Sequence, residues 1–348
     1  MLIVRVDYGY SASDLTFKIL QDGRKILESP FEATVPFMEE AFQSRVDYFG
    51  NELLCYSPTA YPYRINSHQQ ANRYNFRSLS ITGLSCSLMC EHCKGRLLKG
   101  MDPAVTPEDL MSECQKISER GGEGVLISGG SDSSGYVPLN QFGEAIAYAK
   151  ELGLKVVVHT GLVTEETALM LKRANVDAAM LDIIGSLDVA KRIYHLEDGK
   201  HRMRKSLRLL TELEIPTTPH ILVGLNYGQL GGELKAIDMV ADFSPAALVI
   251  IILTPIRDTP MENVTPPAPE VVGKLLTVAR LGLKQTPLLL GCARPLGTHK
   301  IQTDRLAIRA GVNGLSLPSQ EGVDFAKEKG LHPVFLDVCC SLAHQSLP

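Results

Sequence analysis

Little imbalance of charge runs through this chain. Thirty-five Lys and Arg stand against 39 Asp and Glu in 348 residues, for a formal net charge of −4. So small an excess gives no general attraction to nucleic acid or anionic lipid, and it argues against a polyanionic partner. Long apolar runs are also missing: none reaches the length of a membrane span, and no basic start leads into an apolar stretch at the N-terminus. The expectation is a soluble, cytoplasmic protein. Cysteine is present but sparse. Eight in 348 residues is too few for the short, Cys-dense scaffolds of secreted proteins, and three of them cluster. Thiols kept reduced for metal are the better account.

What is abundant is apolar content, 45% of the chain, enough to bury a large core. Between about Ser78 and Pro318, short β-branched or Leu-rich runs alternate with helical patterns. They are SLSITG from Ser78, GVLISGG from Gly124, KVVVHTG from Lys155, DAAMLDIIG from Asp177, HILVGL from His220, ALVIIILTP from Ala247, PLLLGC from Pro287 and GLSLP from Gly314. Near-continuous apolar character fits strands buried on both faces. Eight such units predict a (β/α)8 TIM-type barrel over residues 76–320, with a doubly wound open sheet as the alternative. Residues 1–75, of different texture, form an N-terminal extension, and 321–348 a C-terminal cap segment. Thr106-Pro107-Glu108-Asp109 has the residue types of a helix start, and Gly121-Gly122 those of its end. Cys114 falls within that helix and reads as a small buried hydrophobe.

The chemistry is concentrated in ITGLSCSLMCEHCKG, which sets Cys86, Cys90 and Cys93 at spacings of four and three directly after the first run. Loops at the C-terminal ends of strands are where barrels keep their catalytic groups. Three thiolates there can each take one iron of a [4Fe–4S] cube, leaving the fourth iron open to an exchangeable molecule. A zinc site is the competing reading, but structural zinc usually takes four closed ligands in paired arms. A disulfide within the triplet fits the cytosolic expectation poorly.

This triplet resembles the radical S-adenosylmethionine (SAM) superfamily, whose signature is CxxxCxxC after the first strand of an α/β barrel; the resemblance covers most of 78–318. It implies that Cys86, Cys90 and Cys93 hold a cluster whose open iron chelates SAM. One electron from it would cleave the sulfonium to a 5′-deoxyadenosyl radical. His92 departs from the pattern, since an aromatic residue often precedes the third cysteine. Other strand ends would bind the rest of SAM: Ser128, Gly129, Gly130 and Ser131 where relatives often carry Gly-Gly-Glu, Asp182 as a ribose-binding acid, and Gly224 and Thr259 as parts of backbone platforms for adenine. For Asp182 the alternative is a strand-end acid paired with a nearby base. His159 and His220 could also face the interior.

Among the remaining cysteines, Cys55, Cys292, Cys339 and Cys340 are candidates for an auxiliary [4Fe–4S] cluster, with Ser341 able to contribute. Gly-Cys-Ala-Arg-Pro at 291–295, the long lead into the triplet and the late Cys pair resemble biotin synthase-like proteins, and most of all one subunit of the two-protein lipoyl synthases. That resemblance implies sulfur insertion into an octanoyl chain on a lipoyl carrier protein, with a second radical SAM subunit and a reductant such as ferredoxin. Two alternatives are biotin synthase-like chemistry on a free small molecule, with Arg294 among the auxiliary ligands, and a non-catalytic SAM-binding subunit. Radical methyl transfer and carbon rearrangement also stay open, because the triplet specifies the initiating radical and not its outcome.

Overall fold

The computed structural model describes residues 17–347; residues 1–16 and 348 of the predicted terminal segments lie outside the described residues. Among the described residues, thirteen strands occur in chain order: β1 (Glu52–Tyr56), a small hairpin of β2 (Arg64–Ile65) and β3 (His68–Gln69), then β4 (Phe76–Ser80), β5 (Asp102–Pro103), β6 (Gly124–Ser128), β7 (Lys155–His159), β8 (Ala178–Asp182), β9 (Thr217–Val223), β10 (Leu248–Ile252), β11 (Leu288–Leu290), β12 (Gly314–Ser316) and β13 (His332–Leu336). All eight predicted runs are strands. The first begins two residues earlier than its run, so that Ile81-Thr82-Gly83 opens the following turn.

Eleven of these strands form one sheet in the order β13-β1-β12-β11-β10-β9-β8-β7-β6-β4-β5, and its ladders are all parallel. β4 and β12, which would meet in a closed eight-stranded barrel, do not pair. Beyond β12 the sheet continues into β1 from the N-terminal segment and β13 from the C-terminal one, with Leu54 opposite Gly314 and Glu52 opposite His332. The result is a curled half-barrel rather than a ring. Leu54 and Tyr56 of β1 still share one core cluster with Phe76 of β4, Val157 of β7 and Met180 of β8, so the two ends of the sheet approach each other. Side chains bridge the gap: Asn75 Nδ2 donates to the Asp337 carbonyl (3.0 Å), and Thr59 Oγ1 accepts from the Phe76 N–H (2.9 Å).

Period-two alternation divides the sheet's residues between two cores. Leu53 and Cys55, Val156 and Val158, Ala179 and Leu181, and Leu288 and Leu290 pack outward in one cluster. Leu54, Tyr56, Val157, Ala178, Met180, Val249 and Leu289 point inward. The inner core is completed by the chain's own tail. After β13 the backbone turns into the half-barrel and makes a short 3₁₀ turn, Cys340–Gln345, with Cys340, Leu342 and Ala343 in the inner cluster. The Ser341 carbonyl accepts from Thr218 Oγ1 (3.2 Å), and Gln345 Nε2 donates to Asp177 at the lower end of β8 (3.2 Å). This plug fills the lower half of the interior and leaves the end at the strands' C-termini open.

Two local expectations are met in detail. Thr106 caps the helix Pro107–Glu119 through a reciprocal box, its Oγ1 accepting from the Asp109 N–H (3.1 Å) while Asp109 Oδ2 accepts from the Thr106 N–H (3.2 Å). Gly121 follows the helix at φ +69°. Cys114 is fully buried on that helix, and burial pushes its thiol up to about 12. Among the described residues no helix is long and apolar enough to cross a membrane.

Candidate functional site

β4 ends at Ser80, and the chain then folds through residues 81–95 across the open end of the half-barrel. The loop is braced from the neighbouring strand end. Ser131, just past β6, accepts through its carbonyl from the Ser87 N–H (2.8 Å) and the Leu88 N–H (3.3 Å), and the Gly130 N–H donates to Thr82 Oγ1 (2.7 Å). A Cβ on Gly130 would overlap the Ser85 carbonyl oxygen and the Cys86 Cα, so glycine there is a condition of the loop's close approach. Ser128 donates through Oγ to the His159 carbonyl (3.0 Å). Thus Gly130 and Ser131, both expected to meet SAM, hold the cysteine loop in place, while Ser128 ties β6 to β7.

The three thiols of that loop are free; Cys90 and Cys93 are buried and Cys86 is half-buried. A hydrogen bond from Cys90 holds the Cys93 thiol well below the usual range, assisted by His92, and the same pairing keeps Cys90 protonated. Among the described residues, no three His, Cys, Asp or Glu side chains converge tightly enough for one metal ion. Three thiols with no fourth in the loop fall short of the four closed ligands of a structural zinc, whereas a cubane takes three and spreads them over separate irons. The residues present fit such a cluster on two further counts: the donor set is three unpaired thiols with no fourth in the loop, and His92 Nδ1 is buried beside them with no partner. Cys86, Cys90 and Cys93 would hold the cluster. When bound, it supplies a low-potential electron and an open iron for SAM.

From the loop, a line of side-chain contacts leads into the interior. The His92 ring stacks on Tyr194 (centroids 5.3 Å apart, planes 20° apart), and Tyr194 Oη donates to Asp182 Oδ2 (2.9 Å). Asp182 Oδ1 lies 3.6 Å from His159 Nε2, and the His159 ring meets His220 edge-on at 5.8 Å. Tyr194 is placed by the helix Leu187–Tyr194, which Ser186 caps. Burial alone would raise the Asp182 carboxyl, but His159, His220 and Tyr194 outweigh it and hold the group well below the carboxylate range. Burial likewise opposes charge on His159, and Asp182 reverses that and raises its pKa. His220, desolvated and facing His159, is pushed down to about 4; its Nδ1 lies 3.0 Å from the Thr218 carbonyl. Asp182 thus has a nearby base in His159, and its side chain, about 29% exposed, still reaches the open end.

The auxiliary cysteines separate into two groups. Cys339 and Cys340 top the plug, and Cys292 lies two residues beyond β11. Each sits close enough to the others for their charges to interact, and Cys339 also feels His159. Cys292 is exposed and Cys339 half-exposed, so solvent reaches them through the open end. Cys55 does not join them. Its side chain points to the outer face of β1, is fully buried, and is pushed up to about 12 by burial and the nearby Asp304 charge. The Ser341 hydroxyl contacts Met180 Sδ (2.6 Å).

Three residues expected at the cofactor or an auxiliary cluster carry internal hydrogen bonds. Gly224, at φ +82°, donates its N–H to Glu233 Oε1 (2.9 Å) and accepts from the Gly228 N–H (2.7 Å). Thr259 Oγ1 donates to the Ile256 carbonyl (2.7 Å) and accepts from the Met261 N–H (3.3 Å). Arg294 has all its donors engaged: on Asp304 Oδ1 (3.1 and 2.9 Å), and on the carbonyls of Gly291 (2.6 Å), Ser316 (2.6 Å) and Leu317 (3.3 Å). Sequence reasoning missed Tyr194 altogether, and no local signal marks it, since its contacts come from two other elements. A cavity of about 830 Å³ lies apart from this site, lined by residues including Tyr136, Glu166 and Arg173.

Fold and thiol loop together set three free thiols at the open end of a half-barrel. Residues 80–229, 150 of the chain's 348, match the family model described as the Radical SAM superfamily. Solved structures with the same fold include methylornithine synthase PylB, at 17% identity and TM-score 0.62 over 92% of this chain and 95% of that one. The FeFe-hydrogenase maturase HydG from Carboxydothermus hydrogenoformans follows at 14% identity and TM-score 0.63 over 91% and 76%. Streptococcus suis SuiB bound to S-adenosylmethionine matches at 11% identity and TM-score 0.51 over 70% and 57%. At such identities the likeness is one of fold. No curated protein matches the chain in sequence.

Proposed function

We propose that this protein uses a SAM-derived radical to insert sulfur at an unactivated C–H position of an acyl chain, with the octanoyl group of a lipoyl carrier protein as substrate. A second radical SAM subunit and a ferredoxin-type reductant would act with it. The observation that carries this reading is that Cys292 and the Cys339-Cys340 pair, from two distant parts of the chain, are near enough for their charges to interact. Such thiols would hold an auxiliary [4Fe–4S] cluster as a sulfide source, a requirement that methyl transfer and carbon rearrangement lack. Cys55 is left out of the ligand set, as it lies across the sheet. Engagement of the Arg294 guanidinium by Asp304 favours this reading over biotin synthase-like chemistry on a free small molecule. Solvent access to Cys292 and Cys339 through the open end suits a chain delivered on a carrier.

The test is anaerobic reconstitution followed by assay with SAM, a reductant and an octanoyl-lysyl peptide. Cys90→Ala is expected to lose both 5′-deoxyadenosine and product. A Cys292→Ala/Cys339→Ala double variant should keep 5′-deoxyadenosine formation, carry about half the iron of the parent and make no thiolated peptide. Sulfur transfer by that double variant would overturn the reading.

A further inference from the structure

His92 is the one residue of the cysteine loop whose chemistry the site leaves unexplained. The residue is 8% exposed; its ring acts on the neighbouring Cys93 thiol, yet Nδ1 has no hydrogen-bond partner within the protein. Buried polar atoms are almost always paired, and one left alone in a well-packed site points to an acceptor that the protein itself does not provide. The ring has little freedom to find another: Tyr194 stacks on it at 5.3 Å, and Tyr194 is itself tied to Asp182 by a 2.9 Å hydrogen bond. Backbone bonds from Cys93 N to the Cys90 carbonyl (3.2 Å) and from Lys94 N to the same carbonyl (2.8 Å) hold the chain on either side of the ring's own neighbour. The imidazole is thus locked between an aromatic face and the thiol site. The acceptors missing from that site are the sulfurs of a cluster.

We propose that His92 donates a hydrogen bond from Nδ1 to the sulfur shell of the cluster on Cys86, Cys90 and Cys93, and that this bond raises the cluster's reduction potential. The physical basis is charge: reduction adds an electron to the cluster, so a donor aimed at its sulfur stabilises the reduced form more than the oxidised one. Tyr194 and Asp182 act as positioning residues that keep the ring in register. This rests on the triplet holding a cluster and is independent of the sulfur-insertion reading.

The test is an EPR-monitored redox titration of reconstituted protein at fixed pH, following the signal that Cys90→Ala lacks. His92→Phe keeps an aromatic ring to stack on Tyr194 and removes the donor. At the parent's midpoint its reduced-to-oxidised ratio should fall about tenfold, a shift of about 59 mV for a one-electron couple. His92→Asn places an amide N–H where Nδ1 stood and should recover most of that loss. Coincident midpoints for the parent and His92→Phe would overturn the proposal. Equal losses in both variants would overturn it too, since the ring and not the donor would then matter. So would failure of either variant to take up the loop's iron, because His92 would then build the site rather than tune it.

Discussion

His159 and His220 meet the same desolvated interior and respond in opposite ways. His159 contacts the Asp182 carboxylate, and its pKa rises; for His220 burial and the facing His159 outweigh the pull of Asp182, and it falls to about 4. The signs of their contributions to stability follow by linkage. The unfolded chain binds a proton at His220 near the ordinary histidine value, whereas the folded chain binds it only near pH 4, so this residue removes stability as pH falls through that window. His159 does the reverse: its raised pKa gives stability that is present in full below the ordinary histidine value and is lost as pH climbs through the folded one. Thermal midpoints at pH 7 and pH 4.5 should therefore fall less for His220→Gln than for the parent, and further for His159→Gln. An unchanged slope in His220→Gln would show that another group governs the acid response.

Elements around the open end are tied together by a buried ion pair. Arg294 and Asp304 side chains are 1% and 0% exposed. The pair joins the loop after β11 to the helix Thr298–Arg309, and Asp304 Oδ2 also accepts from the N–H (2.7 Å) and Oγ (2.8 Å) of Ser319, which caps the helix Gln320–Glu328. Removing one member strands the other charge in a dry site. Asp304→Ala is expected to cost about 3–5 kcal/mol in denaturant unfolding, with iron uptake by the triplet intact. A loss below about 1 kcal/mol would mean that water replaces the carboxylate. The capping box on Pro107–Glu119 was legible beforehand because each of its bonds spans three residues. This clamp was not, since Arg294 and Asp304 acquire their shared environment only from β12 and the helix beyond it.

For the whole molecule, the interior is closed from below by the chain's own tail and only partly by strand pairing. Truncation after Val338 would take Leu342, Cys340 and Ala343 from the inner cluster and open Tyr56, Met180 and Leu289 to water. At roughly 25 cal/mol per Å² of apolar surface, the loss should be about 3–5 kcal/mol. The truncated protein should bind a hydrophobic dye and melt earlier, while Cys339→Ala, which keeps the plug, should do neither. A truncated chain that melts with the parent would show that the half-barrel is stable without its floor.

The sequence by itself determined the local and the repetitive. Eight parallel strands are readable because burial on both faces makes each one apolar throughout, and the thiol triplet is readable because its three ligands lie within one loop. Only the tertiary structure decided which face each side chain takes, and hence which distant groups meet. Cys55 lies between Leu54 and Tyr56, and the register of β1 against β12 and β13 turns it outward while its two neighbours turn in. Cys339 and Cys340, near the far end of the chain, reach the interior because the backbone turns inward after β13. A strand's side chains alternate at every residue, so one step of pairing register, set by strands remote in sequence, separates a buried thiol from one that faces the site.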